Sequence, residues 1–252
     1  MLRQAVMMFS GGIDCTYAVE KVADRFDRIH LVTFIVPLSV LDLRASKSAD
    51  VLLRRHPGKV THEYLDIRGL IGEIRGDYGA CRRDNRRFRF AYAWCLGCKL
   101  GMHAATIRYC LDHGIDTVMD GSHSADMHAL EQKPQFLEAV DALYREYGIA
   151  KEHPIYDDYA ATTDRPIRET SLLERMYLVD HRREQVRALE AKGFDFGPAI
   201  GNHHRTVQPQ CFFALALNIK RLFHHESPTA AREYFEDKLP RVRQALSGAA
   251  RR

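Results

Sequence analysis

The 252-residue sequence contains no apolar run approaching the roughly 20 residues that span a bilayer. Its first residues pass straight into an apolar stretch, without the cationic and apolar leader of a secretory signal. Both absences lead us to expect a cytoplasmic protein with no membrane partner. There is no internal repeat and no long low-complexity linker, so neither a repeat array nor a flexible tether is expected. Charge of neither sign dominates: the formal net charge is +4, too mild by itself to demonstrate a nucleic-acid partner. Cysteine is sparse, with six in the chain. Without a secretory leader these read as metal ligands or thiols, not as a disulfide framework.

What the chain does have is an ordinary share of hydrophobic residues, 46%, enough for a sizeable core. Its organising stretch is Phe9-Ser10-Gly11-Gly12-Ile13-Asp14-Cys15-Thr16. The apolar run Ala5 to Phe9 leads into it, and Cys15, Ala18, Val19, Val22, Ala23 and Phe26 recur behind it at helical spacing. That pattern predicts strand, tight glycine turn, helix. Two glycines let backbone approach a ligand with no Cβ in the way. The opening of a helix offers unsatisfied N–H groups and the positive end of its dipole, so a phosphate or pyrophosphate is the natural guest.

Further strands are expected at Ile29 to Val36, Val60 to Ile67 and Thr117 to Met119. Helices are expected at Ser46 to His56, through Leu100, Ala104, Ile107 and Leu111 up to Gly114, at Ala129 to Tyr147, and at His181 to Lys192 before Gly193. Arg168-Glu169 opens another helix-like stretch. Alternating β and α segments predict a doubly wound α/β parallel sheet, whose ligands bind beyond the carboxyl ends of its strands. The loop Asp120 to Asp126 follows the fourth strand at that edge, and His123 is the one lone histidine whose place there favours a site. Beyond Phe194 the character changes to a loop-rich stretch containing His203, His204 and Cys211. Phe212 to Phe223 is apolar and helical, and another helix starts at Ser227-Pro228 and is limited by Pro240. We therefore expect a nucleotide-binding domain over 1–193 and a loop and helical extension over 194–252, packed on the same domain.

Two further features carry chemistry. Arg82, Arg83, Arg86, Arg87 and Arg89 interleave with Phe88 and Phe90, with Tyr92 and Trp94 close behind. This reads either as a solvated helical face or as a surface for RNA or another polyanion. Cys95-Leu96-Gly97-Cys98 has the spacing that lets two thiolates share one centre, with Gly97 easing the turn between them. The pair alone is open between zinc, an iron–sulfur cluster and a redox dithiol. Cys110 reads as core packing inside a helix. Cys81, beside the arginines, reads as an incidental thiol, with a persulfide carrier or fourth ligand as alternatives and its pKa lowered by the nearby charge.

Ser10-Gly11-Gly12-Ile13-Asp14 resembles the SGGxDS loop of the PP-loop ATP pyrophosphatase superfamily, with Cys15 where serine is usual. The resemblance implies an α/β, HUP-like sandwich and an enzyme that cleaves ATP between the α and β phosphates to adenylate a substrate. It implies ATP contacts from Ser10, Gly11, Gly12, Asp14, Cys15 and Thr16. Gly121 and Asp126 resemble the superfamily's glycine-and-acid motif near the nucleotide. Asp14 or Asp126 would help position Mg²⁺ and serve as catalytic groups. Cys95, Cys98 and Cys211 resemble the three-cysteine set on which a group of tRNA thiolases and related sulfur-handling enzymes holds a [4Fe-4S] cluster with one iron open. The implied function is transfer of sulfur to tRNA or a small nucleobase-like acceptor, from a sulfur donor, after adenylation of a carbonyl-type oxygen. Four alternatives stay open. The cysteines, with His203 or His204, would bind Zn²⁺; an enzyme resembling 7-cyano-7-deazaguanine synthase would use ammonia instead of sulfur; a desulfurating enzyme would use the same cluster; or the chain would bind nucleotide without turnover.

Overall fold

The computed structural model describes residues 2–37, 43–89, 92–124, 130–158, 183–196, 199–200, 203–204 and 229–247. Five parallel strands form the central sheet: β1 (Gln4–Met8), β2 (Arg28–Ile35), β3 (Val60–Asp66), β4 (Thr117–Met119) and β5 (Ala150–Glu152). Their order is β3-β2-β1-β4-β5. Val6 of β1 pairs with His30 on one side and Val118 on the other. The chain thus winds outward from β1 in one direction, then returns to its other side with β4. The crevice between β1 and β4 is the topological switch point of a doubly wound α/β fold, as the alternating segments predict.

Helices cover both faces, so the inner strands are apolar in both directions. Ala5 and Met7 of β1, Ile29 and Leu31 of β2 and Met119 of β4 pack with α1 (Ile13–Val22), α2 (Leu43–Arg55) and α7 (Arg183–Glu190). Val6, Val32 and Val118 point the other way. They pack with α5 (Ala93–His113), α6 (Pro134–Glu146) and α8 (Ala230–Ser247). Between β3 and α5 lie α3 (Arg68–Arg75) and α4 (Tyr78–Arg87). A short antiparallel pair, β6 (Ala199–Ile200) and β7 (His203–His204), stands apart from the main sheet.

Several expectations need correction. Leu111 does not share the buried face of Leu100, Ala104 and Ile107; it is 43% exposed. Pro240 does not limit α8, which runs through it. Phe235, Lys238, Val242 and Leu246, buried on either side, hold the helix together where one backbone hydrogen bond is missing. The expected helix from Ala129 begins as a 3₁₀ turn, Leu130–Gln132, and turns α-helical only at Pro134. Gly114 does end α5, in the left-handed conformation at φ 64°. The stretches around Arg168 and from Phe212 to Phe223 lie outside the described residues. Among the described residues, no helix is long and apolar enough to cross a membrane.

Candidate nucleotide-binding site

The Ser10 loop leaves the carboxyl end of β1. Phe9 still belongs to the sheet, its N–H donating to Val32 O at 2.8 Å and its carbonyl accepting from Thr33 Oγ1 at 2.9 Å. Gly11 then takes φ +74°, a conformation that favours glycine. The buried Ser48 hydroxyl of α2 donates to the Gly11 carbonyl at 2.9 Å and fixes the turn. Gly12 caps α1 with no side-chain cap hydrogen bond. The first amides of a ten-residue helix therefore face the crevice, at the positive end of its dipole. Cys15 turns inward: its thiol donates to Gly12 O at 3.2 Å and lies 3.5 Å from Ser10 Oγ. Burial pushes that thiol up, so it sits neutral within the loop.

The loop after β4 closes on this turn from the other side of the crevice. Gly121 lies so near α1 that a Cβ built on it stands 2.7 Å from the Cys15 nitrogen. Asp120 accepts a hydrogen bond from Ser122 N at 3.0 Å and pairs with Lys151 and with His153 Nδ1, the latter at 2.9 Å. His153 Nε2 reaches Asp141 at 3.2 Å. Burial acts to raise the Asp120 carboxyl, but the Lys151 and His153 charges outweigh it and hold it well below the usual range. Burial likewise acts against a charged His153, yet Asp120 and Asp141 prevail and it is pushed up to about 9. His123 Nε2 stands 3.8 Å from Asp14 Oδ2.

Between the two loops is a cavity of about 220 Å³. Met8, Phe9, Phe34, Val36, Met102 and Leu137 form its apolar wall, and Ser10, Gly12, Asp14, Thr33, Lys99, Asp120, Ser122, Glu131 and Gln132 its polar one. His103 also lines it. That imidazole contacts the Tyr144 hydroxyl at 3.1 Å, and burial keeps it well below its ordinary value and neutral. Among the described residues, the arrangement offers phosphates backbone amides and the Lys99 ammonium, and a flat ring apolar surface.

Of the residues singled out in the sequence, Ser10, Gly12, Asp14, Cys15 and Gly121 line the cavity. Gly11 shapes the turn. Thr16 is fully buried and packs beneath the loop. Asp126 and Cys211 lie outside the described residues, as do the side chains of His203 and His204. Lys99 carried no recognisable sequence signal, and neither did the Lys151–His153 pair. Lys99 follows the cysteine pair by one residue, and only helical spacing links it to Cys95 and Met102.

The cysteine pair does not sit in a turn before a helix. Cys95 and Cys98 lie on the first two turns of α5 itself. Gly97 is needed for packing and not for turning, since a Cβ there would meet Arg75 Cγ at 2.5 Å. The Arg75 guanidinium lies 3.3 Å from the centroid of the Trp94 ring and donates to Cys98 Sγ at 3.2 Å. Cys95 is partly exposed. It precedes Lys99 by four residues and Met102 by seven, so one helical stripe leads from the pair into the cavity. The climb from Cys95 to Lys99 is about 6 Å. Cys110 is core packing, as expected. Cys81 departs from expectation: burial pushes its thiol up, and the opposing Arg75 charge does not reverse this. Among the described residues, no three histidine, cysteine or acidic side chains converge where a metal could sit.

No family model matches the chain, and no curated protein matches it. Solved structures do resemble it. One is a 4-thiouridine synthetase in complex with RNA and bound ATP, at 15% identity and a TM-score of 0.48, covering 97% of this chain. This chain spans only 53% of that one's length. Another is a predicted subunit of tRNA methyltransferase from Methanocaldococcus jannaschii, at 13% identity and a TM-score of 0.44, with 91% of this chain and 92% of that one covered.

Proposed function

We propose that the chain is a PP-loop ATP pyrophosphatase that adenylates a carbonyl-type oxygen of a tRNA or nucleobase-like acceptor, which sulfur then displaces. The observation that carries this is the Ser10–Gly12 turn. It has a positive-φ Gly11 and an uncapped helix start, and it opens at the switch point of the sheet into a cavity shared with Asp14 and Lys99. The loop amides would hold the pyrophosphate side of ATP, and Lys99 would offset charge as it develops on the phosphates. A carbonyl-type oxygen is a poor leaving group, and adenylation converts it to AMP.

Asp14 has the hard oxygen donors that Mg²⁺ takes, together with phosphate oxygens. Asp120 is less suited, being committed to Lys151 and His153. The thiols fit a soft centre: Cys95 and Cys98 are one helical turn apart, and the Arg75 hydrogen bond to Cys98 Sγ supports an anionic ligand. Cys95, Cys98 and Cys211 would together hold a [4Fe-4S] cluster. When bound, such a cluster supplies an open iron for sulfide; zinc, with His203 or His204, would supply a closed tetrahedral site instead. Iron with broad visible absorption in anaerobically purified protein supports the cluster, and colourless protein with zinc supports the other ligand set.

The reaction class is tested by pyrophosphate exchange. With ATP, Mg²⁺, bulk tRNA and labelled pyrophosphate, a reversible adenylation returns label to ATP. Labelled ATP is the expected result; its absence in the presence of ATP hydrolysis to ADP contradicts the proposal.

A further inference from the structure

Apart from Tyr78 at its start, the exposed positions of α4 are all arginine. Cys81, Asp84 and Phe88 point into the protein, and Arg82, Arg83, Arg86, Arg87 and Arg89 point out of it. Arg87 is answered by Asp237 at 2.7 Å. Arg82, Arg83, Arg86 and Arg89 form no ion pair among the described residues. Among the described residues near this face, Asp77 caps α4 by accepting from Ala80 N at 2.7 Å and Asp84 pairs with Lys238 at 2.8 Å, while Glu233, Glu236 and Asp237 of α8 gather beside Arg87 and Phe88, at the end of α4 away from Tyr78. Arg82 with Arg86 and Arg83 with Arg87 are like-charge pairs at i,i+4, which destabilise a helix by a few tenths of a kcal/mol each. A face that served only solubility gains from mixed signs. One that uses five guanidinium forks and no lysine fits planar, bidentate recognition of phosphate.

An aromatic side chain stands at the end of the same stripe. Tyr78, at the first position of α4, is 60% exposed and precedes Arg82 by four residues and Arg86 by eight. Its ring lies 6.4 Å from that of Trp94 on the first turn of α5. The two helices are joined there, because the Asn85 side chain accepts from Ala93 N at 3.0 Å. Cys95 is the residue after Trp94, and the stripe from Cys95 to Lys99 leads into the cavity.

We infer that α4 and the turn after it form a docking strip for single-stranded RNA: Arg82, Arg83, Arg86 and Arg89 hold its phosphates, and Tyr78 stacks one base beside the cysteine pair. The strip from Tyr78 to Arg86 is about 12 Å long, enough for two to three nucleotides. An exposed aromatic at the end of an arginine row suits an unstacked base, whereas a duplex hides its base faces. The inference rests on the adenylating reading only for the identity of the acceptor. The surface itself is read from its charge and aromatic content.

The test is fluorescence anisotropy with a labelled 12-nucleotide single-stranded RNA, in a salt series, on the full chain. Combined Arg82→Gln, Arg86→Gln and Arg89→Gln should weaken binding at least tenfold. The change should also reduce the slope of log affinity against log salt by about 2, as three lost single-strand phosphate contacts require. Tyr78→Ala should weaken binding several-fold and leave the slope unchanged. ATP affinity should stay constant in all variants, which shows that the fold and the cavity are intact. Unaltered RNA affinity and slope in the triple variant overturn the inference, as does equal competition by duplex RNA or by an acidic peptide. Loss of pyrophosphate exchange with the RNA results standing overturns the adenylation reading alone.

Discussion

Gly121 presses against the backbone of Cys15: a Cβ on it would come within 2.7 Å of the Cys15 nitrogen and 3.0 Å of the Asp14 carbonyl carbon. Both contacts are backbone at the first turn of α1, so nothing flexible can give way. The loop after β4 and the Ser10 loop after β1 therefore hold each other in place across the switch point. Gly121→Val should push α1 away from the crevice and misalign the amides that face it. We expect ATP affinity to fall by tenfold or more in calorimetric titration, at a cost of about 1–3 kcal/mol in stability.

Among the described residues, Lys99 brings a cation to the cavity wall. Hydrogen bonds to charged groups contribute about 1.5–3 kcal/mol. Lys99→Gln should therefore raise the Kd for ATP by roughly ten- to a hundredfold and leave the melting temperature within about 2 °C of the parent. A parental Kd would show that the phosphates lie elsewhere.

His153 gives the stability a pH dependence. Its value is raised from 6.5 to about 9 in the fold. The stabilisation is therefore fully present below pH 6.5 and is lost as pH rises through about 9. Denaturant unfolding between pH 6.5 and 9.5 should show a fall on the order of 2–3 kcal/mol. His153→Gln should flatten that fall, since the remaining partner of Asp120, Lys151, stays charged across the window.

Gly97→Ala places a methyl group inside the Arg75 side chain, 2.5 Å from Cγ. Arg75 must then leave Trp94 and Cys98. We expect a loss of about 1–3 kcal/mol, together with a change in Trp94 fluorescence. The chain's one tryptophan reports this contact without interference. Unchanged fluorescence with unchanged stability would contradict the packing role given to Gly97.

The sheet and the Ser10 loop were legible in the sequence because their signals are local. An apolar run, two glycines and a 3.6-residue period follow one another within Ala5 to Phe26. β5 was not legible, since Ala150-Lys151-Glu152 has no apolar alternation; it is a strand only because it pairs with β4. Lys151 reads as a surface lysine until its partner Asp120, 31 residues earlier, is brought beside it. The cysteine pair is legible by its spacing, but its setting inside a helix is not. The helix starts two residues before Cys95, and Gly97 answers to the Arg75 side chain of α3 and not to a turn. His123 was picked out by its position after β4, and it does lie beside Asp14.

Adenylation requires that ATP bound at the Ser10 loop be cleaved between its α and β phosphates. The direct measurement is the fate of α-labelled ATP during turnover with bulk tRNA and a sulfide source, with a Gly11→Val variant alongside. The parent should give labelled AMP and unlabelled pyrophosphate, and the variant no labelled product, because valine is strained at φ +74° and the turn is lost. Labelled ADP from the parent, or equal AMP from both proteins, would contradict adenylation at this loop.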